Sequence, residues 1–550
     1  MNEELKKIIE DAVKAQQESC GCTFQIPEIE LEHPANSKFG DLSTNIAMKI
    51  GKQQGENPLR IADNLVKQIQ SQQLKEIQKV EAVKPGFINF YLSEQFYQSQ
   101  LKEILSVGRK FADTNLGKGQ KVQVEFISAN PTGPLTLANG RGGFSGDVLA
   151  NVFAKCGYSV EREYYVNDGG NQVKVLGETL LYLGKDIDKK PENMYAGDYL
   201  MDLLGIYKSD EKFQEWKDAK NPLLYGQKYA KYILNTMIKS SVEKMGINFD
   251  NWFSEDEMIK KGEVRDAIEF LKKKGLTKDD EGALWMKTID FGDDKNRVLV
   301  KSDGEKTYFA NDIAYHWDKF AKRKFDRVVD LWGADHHGYV RRMEAATEAM
   351  GFGGKLDIVI FQLVRLIKNS KEYKMSKRKG TYVTMDELLE LIDTKDAADV
   401  ARFFFVSKSF DTHMDFDLDL AKDTSEKNPV YYVKYASARI NGILRNTKLD
   451  YSKPNLSLIK EPAEIDLVKK VSELPEIIES VITDKKYPVH KFTYYITEIA
   501  EKFHKFYHDC RVISDNEELT KARLALVSAT KNTLEIVGED ILGIEMPERM

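Results

Sequence analysis

Two stretches of this sequence carry groups that could act on phosphate. Residues 371–380 pack Lys371, Lys374, Lys377, Arg378 and Lys379 together, follow a β-rich segment and end in glycine. That is the pattern of a loop that closes cations over a transferring phosphate and stabilises charge as it develops. Residues 130–143 follow a second β-rich segment, 122–127, and contain Asn130-Pro131-Thr132-Gly133-Pro134 and then Gly140, Gly142 and Gly143. In an open α/β sheet such a loop lies beyond the carboxyl end of a strand, where a helix N-terminus offers N–H groups to anions and glycines let the backbone approach a ligand closely. A third feature is a pair of residues four apart, Tyr308 and Asp312, which share one face if their segment is helical. His336-His337 invites a metal reading, but no third ligand stands at a fitting spacing.

These groups need a sheet behind them. Residues 122–127 are strand-like, 130–143 loop-like and 147–155 helical in period; the same order recurs at 327–332, 333–338 and from Val340, and a further strand-like run lies near 358–366. The units predict a doubly wound, Rossmann-like sheet, split by an insertion over roughly residues 180–300 that holds strand-like 283–289 and 297–301 about an acidic turn, Gly292-Asp293-Asp294. Residues before it form a small α+β module, with helices expected near 3–17 and 58–73 and an extended run ending at Phe87-Ile88-Asn89-Phe90-Tyr91-Leu92. From about 426 the pattern is helical, as in a bundle. The expected domains are therefore 1–112, 113–425 and 426–550, a multidomain α/β and all-α chain.

Composition sets limits. With 550 residues, 42% of them apolar, the chain can bury several cores, and a net charge of -6 argues against a globally basic nucleic-acid binder. Residues 427–550 carry 19 Lys plus Arg against 19 Asp plus Glu, so RNA contact there must rest on local cations and aromatic rings. Cys20, Cys22, Cys156 and Cys510 are too few and scattered to staple the fold; a metal site at the first two has only His33 nearby, so free thiols are expected. Glu3, Glu4 and Glu10 make the first helix unlike a transit peptide, and no apolar run is long enough for a membrane span. The expectation is a cytoplasmic monomer, off membranes and DNA.

Lys374-Met375-Ser376-Lys377-Arg378 also resembles the KMSKS-type signature of class I aminoacyl-tRNA synthetases. The resemblance narrows to the arginyl-tRNA synthetase family over nearly the whole chain, through Glu125-Phe126-Ile127-Ser128-Ala129-Asn130-Pro131-Thr132-Gly133-Pro134-Leu135, Tyr164-Tyr165-Val166-Asn167-Asp168, residues 308–316, 333–339 and 428–435, and the ending Met546-Pro547-Glu548-Arg549-Met550. It implies ATP-dependent joining of L-arginine to tRNA(Arg) through an arginyl-adenylate, with Mg2+ accompanying ATP. A guanidinium, planar and always charged, needs carboxylates with good geometry. The resemblance places Glu125, Asn130, Tyr308 and Asp312 on arginine, and Gly140, Asp335, His336 and Met375 on ATP. It places Phe87 and Asn89 on the D-loop of the tRNA, and Tyr432, Tyr435, Arg439 and Met550 on its anticodon arm. Lys374 and Lys377 are the expected catalytic cations.

The family pattern breaks at one place. Where class I enzymes carry His-x-Gly-His, this chain has Thr136-Leu137-Ala138-Asn139. Thr136 offers a hydroxyl donor and Asn139 an amide donor, so both are expected to serve the phosphates in the histidines' stead.

Overall fold

The structure is a computed structural model that describes residues 2–34, 36–209, 221–373 and 383–550. Lys374, Met375 and Lys377 lie outside the described residues. By its contacts the chain falls into two units, and the residues after 426 are shared between them.

The first unit comprises residues 1–111, 443–473 and 501–532. Its sheet is antiparallel, built from β1 (Leu42–Thr44), β2 (Ile77–Val83) and β3 (Phe87–Leu92), with β3 in the centre. A central strand buries both faces, and Ile88, Asn89 and Phe90 are all buried. The Asn2–Cys20 helix turns Leu5, Ile9, Ala12 and Val13 inward. The Pro58–Ser71 helix starts where its chemistry announces it: Asn57 Oδ1 accepts the Leu59 N–H (2.9 Å), and proline takes the first helical position. One expectation is corrected here. Cys20 and Cys22 are joined by a disulfide rather than free, because Gly21 between them, at φ +65°, turns the chain back on itself. Cys156 and Cys510 are free and buried.

The second unit comprises residues 112–442, 474–500 and 533–550. β4 (Lys121–Glu125) and β5 (Ser159–Val166) form parallel neighbours, and β6 (Asn251–Ser254) pairs with the outer edge of β5. The stretch 180–300 is thus no continuous excursion: four of its residues belong to the main sheet, too few to show a strand period. Beyond β6 stands a small antiparallel sheet of β7 (Thr277–Asp280), β8 (Ala283–Met286) and β9 (Arg297–Val300). β10 (Arg327–Gly333) and β11 (Leu356–Phe361) complete the parallel sheet in the order β11-β10-β4-β5-β6. The chain leaves β4 toward one edge and returns at β10 toward the other, so the topological switch point lies between those two strands. β12 (Val364–Lys368), β13 (Lys371–Glu372) and β14 (Met414–Asp417) form a separate small sheet, so the strand-like run near 358–366 spans two strands of different sheets.

The helix after β4 begins at Leu137 and runs to Lys155, so residues 137–143 are helical rather than loop. Glycine is a poor helix former, and packing overrides that here. A Cβ on Gly146 would lie 2.4 Å from the Phe126 ring, one on Gly142 3.0 Å from Phe361, and one on Gly140 2.1 Å from Met385 Sδ. These glycines bring the helix down onto its neighbours.

Candidate active site

Glu125 ends β4, and Asp330 stands opposite it in register on β10, at the switch point. Two adjacent buried carboxylates require a cation. Lys319, with no solvent exposure, supplies it: its Nζ donates to Glu125 Oε2 (2.7 Å) and Asp330 Oδ1 (2.9 Å). His316 sets its Nε2 2.9 Å from Asp330 Oδ2 and its Nδ1 2.7 Å from the Asp312 carbonyl. The Tyr315 hydroxyl lies between Glu125 Oε2 (2.9 Å) and Glu163 Oε1 (2.5 Å), and Ser128 Oγ donates to Glu125 Oε1 (3.0 Å). Burial opposes the charge of Asp330, but Lys319 and His316 outweigh it and hold the carboxyl at about 2. Burial likewise pushes Glu125 up, against the pull of Lys319. Burial also opposes the Lys319 charge, and its two carboxylates more than restore it.

Above this network opens a cleft of about 580 Å³, whose walls include Asn130, Asn139, Tyr165, Tyr308, Asp312 and His336. Tyr308 and Asp312 sit on the Tyr308–Trp317 helix, which starts where Thr307 accepts the Ala310 N–H. Asp312 Oδ2 accepts from the Tyr339 hydroxyl (2.5 Å). Burial raises the Asp312 carboxyl against the pull of the Tyr339 hydroxyl and of His316, His336 and Arg342, and among the described residues it forms no salt bridge. Close by is a carboxylate that the sequence reading missed. Glu255, 3% exposed, opens the Glu255–Lys260 helix; its Oε1 accepts from Asn311 Nδ2 (3.0 Å), and Asn167, with its amide turned to satisfy both ends, donates to Oε2 (2.9 Å). Burial raises this carboxyl too, and the charge of Asp312 pushes it further. Tyr165 feels the negative charge of Glu255, Asp312 and Glu125 together. The cleft is thus lined by the Asp312 carboxylate, with Glu255 buried beside it and held by Asn167 and Asn311; burial raises both, His316, His336 and Arg342 offset this only in part at Asp312, and neither acid forms a salt bridge among the described residues.

Comparison with known proteins gives a second line of argument. Family models match along the chain: "Arginyl tRNA synthetase N terminal domain" at 3–92, "tRNA synthetases class I (R), catalytic domain" at 100–402 and "DALR anticodon binding domain" at 433–550. The arginine–tRNA ligase of Citrifermentans bemidjiense is 42% identical over 540 residues, covering 96% of both chains, and that of Bacillus subtilis is 40% identical, covering 100% of this chain and 99% of the other. The chain belongs to the arginyl-tRNA synthetase family. Among solved structures, a protein from Campylobacter jejuni described as a putative arginyl-tRNA synthetase superposes with a TM-score of 0.73 at 30% identity, over 84% of this chain and 100% of its own. The Thermus thermophilus arginyl-tRNA synthetase gives 0.79 at 20% identity and full coverage of both, a likeness of fold.

Of the residues expected on arginine, the structure brings all four, Glu125, Asn130, Tyr308 and Asp312, to one cleft. Their standing differs. Glu125 is already held by Lys319, Tyr315 and Ser128, whereas Tyr308 is 59% exposed and Asp312 is partly accessible. Asp335 and His336 lie on the rim, 3.4 Å apart. Gly140 packs against Met385 and does not line the cleft. Thr136 and Asn139 form the helix cap: the Thr136 N–H and hydroxyl both donate to Asn139 Oδ1 (2.9 Å each). The Thr136 proton is thus spent within the turn, while Asn139 reaches the cleft and its amide N–H groups donate to no partner among the described residues. In the first unit, Asn89 is buried and accepts from Ser43 Oγ (2.8 Å), which removes its side-chain oxygen from any RNA contact; Phe87 is half-buried. On the Pro429–Arg445 helix, Tyr432, Tyr435 and Arg439 share a half-exposed face, with the Arg439 guanidinium 4.7 Å over the Tyr435 ring. Met550 is 53% exposed. Among the described residues no helix is long and apolar enough to cross a membrane.

Proposed function

We infer that this chain activates L-arginine with ATP to arginyl-adenylate and transfers the arginyl group to the 3'-terminal ribose of tRNA(Arg). The observation that supports the choice of amino acid is the Asp312 carboxyl, partly accessible in the cleft that Tyr308 also lines, raised by burial and in no salt bridge among the described residues, with Glu255 buried beside it. A guanidinium carries five N–H donors in a planar fork that can bridge the Asp312 carboxylate and the Tyr308 hydroxyl; a lysine ammonium is a point charge and an apolar side chain would leave the Asp312 charge without an ion-pair partner. Asn130 is suited to the α-amino end of the amino acid. Glu125, paired inside the protein, supports the site without contacting the guanidinium.

For ATP we propose the rim at Asp335 and His336, with the Asn139 amide donating to phosphate and Lys374 and Lys377 adding charge as the transition state forms. Mg2+ prefers phosphate oxygens and water to a protein cage, so it arrives with the nucleotide. Phe87 is suited to stack on a D-loop base, and Tyr432, Tyr435, Arg439 and Met550 to hold anticodon bases. The cytoplasm is the proposed location. Exchange of labelled pyrophosphate into ATP, run with each amino acid in the presence of tRNA(Arg), tests the reading. Exchange with arginine alone is expected; equal exchange with lysine, or none with any amino acid, would overturn it.

A further inference from the structure

Lys319 is the most deeply buried cation of the site, yet it touches no surface that a substrate could reach. A lysine without water is costly, and a methionine would fill the same space more cheaply, so its retention calls for a role. The local backbone is also unusual. Residues Asp318–Lys322 wind as one π-helical segment after the Tyr308–Trp317 helix, with the Arg323 N–H reaching the Asp318 carbonyl at 2.9 Å. The wide turn buries Asp318, Lys319 and Phe320 in succession. Such segments are rare and cluster at functional sites.

The partner of Lys319 leads to a second irregularity. Two residues past Glu125, Ile127 and Ser128 take φ +66° and +39° in succession, left-handed conformations that non-glycine residues, and β-branched ones above all, adopt only when held. What holds them is visible: Ser128 Oγ donates to Glu125 Oε1 (3.0 Å) and accepts the Tyr165 N–H (3.0 Å), and the Tyr164 hydroxyl donates to the Ala129 carbonyl (2.8 Å). Asn130 follows immediately at the cleft.

We propose that Lys319 is a positioning residue, which fixes Glu125 as the acceptor for Ser128 and so holds the left-handed turn that presents Asn130 to the amino acid. The inference rests on the reading of this cleft as the arginine site. Without Lys319, Glu125 loses its counter-ion in a buried place and is driven toward its protonated form, which no longer accepts the Ser128 hydroxyl in the same way. The turn then relaxes and Asn130 shifts, while Asp330, which also loses a partner, keeps His316, so the ATP rim at Asp335 and His336 changes less.

The test uses Lys319→Met and Ser128→Gly, singly and together, in the full chain. Glycine tolerates the backbone of position 128, so the second variant folds without the clamp. Each single change should raise the arginine KM at least tenfold and leave the ATP KM within threefold, and the double variant should be no worse than the poorer single one, since both cut one chain of bonds. Wild-type kinetics in Ser128→Gly, or losses that multiply in the double variant, would overturn the proposal. Amide hydrogen exchange gives a readout independent of activity: in Lys319→Met the Tyr165 amide should lose protection against wild type, and unchanged protection would equally overturn it. Absence of arginine-dependent exchange in the wild type would instead count against the assignment of the site, with the amide readout still deciding the role of Lys319.

Discussion

Replacing Asp312 by Asn keeps the shape of the side chain and an oxygen for the Tyr339 hydroxyl, and removes only the charge. Deleting one partner of a desolvated, hydrogen-bonded charge pair costs 2–5 kcal/mol or more; Asp312 is partly accessible, so the lower part of that range applies, about 2–3.5 kcal/mol. At 1.36 kcal/mol per tenfold, kcat/KM for arginine should fall by roughly 30- to 400-fold, with the ATP KM little changed. The unliganded protein should respond in the opposite sense. Burial raises the Asp312 carboxyl above its ordinary value of 3.8, so the stability tied to this group is present below the unfolded value and lost as pH rises through the folded one. At neutral pH the ionised Asp312 is thus a cost to the fold, and Asp312→Asn should melt at the same temperature as wild type or higher. In wild type the sign for ligand follows: arginine needs the ionised form, so its affinity should weaken on acidification at a pH above that at which an exposed aspartate titrates. Pyrophosphate exchange with arginine varied from pH 5 to 8, beside thermal melts without ligand, measures both. An unchanged arginine KM together with a lower melting temperature would refute the reasoning, for Asp312 would then be a structural acid.

Gly226→Ala should destabilise the fold by about 1–3 kcal/mol or more, because its Cβ would lie 1.9 Å from the Val173 carbonyl, where backbone cannot step aside; a denaturant melt measures it. Thr136→His with Asn139→His, which restores the usual class I pattern, should not raise the rate of adenylate formation and should cost about 1 kcal/mol of stability, since the pair closes the cap of the Leu137–Lys155 helix. A large gain in rate would show that the Asn139 amide is a poor substitute. Lys377→Ala should depress adenylate formation far more than tRNA affinity, as single-turnover rates and filter binding can compare.

The parts of the site legible in the sequence are those in which neighbours along the chain are neighbours in space. Tyr308 and Asp312 share a helix face because four residues make about one turn, and Asn130 follows a strand at the switch point because an apolar run closes on a proline-glycine turn. What stayed hidden depends on folding at a distance. Glu255 sits in Glu255-Asp256-Glu257 after Ser254, which reads as an ordinary acidic helix start; only its approach to Asn311 gives it a second role. Lys319 lies in a run of charges that looks solvated, and a π turn has no recognised signature to say otherwise. In sequence Gly140, Gly142 and Gly143 suggest a backbone that approaches a ligand closely; in the fold they make room for Met385, for Phe361, and for Ile127 and Met245. The resemblance implies an RNA contact for Asn89, but on the central strand its side chain is buried and accepts from Ser43 Oγ.

The central claim is that this cleft selects arginine for attachment to tRNA(Arg). Charging of tRNA(Arg) by the purified wild-type chain, followed with labelled arginine and ATP against the Asp312→Asn and Glu255→Gln variants, tests it most directly. The account predicts arginyl-tRNA from the wild type and a loss of kcat/KM for arginine in both variants, without a matching loss for tRNA. Wild-type chain that binds tRNA(Arg) tightly and leaves it uncharged would contradict it.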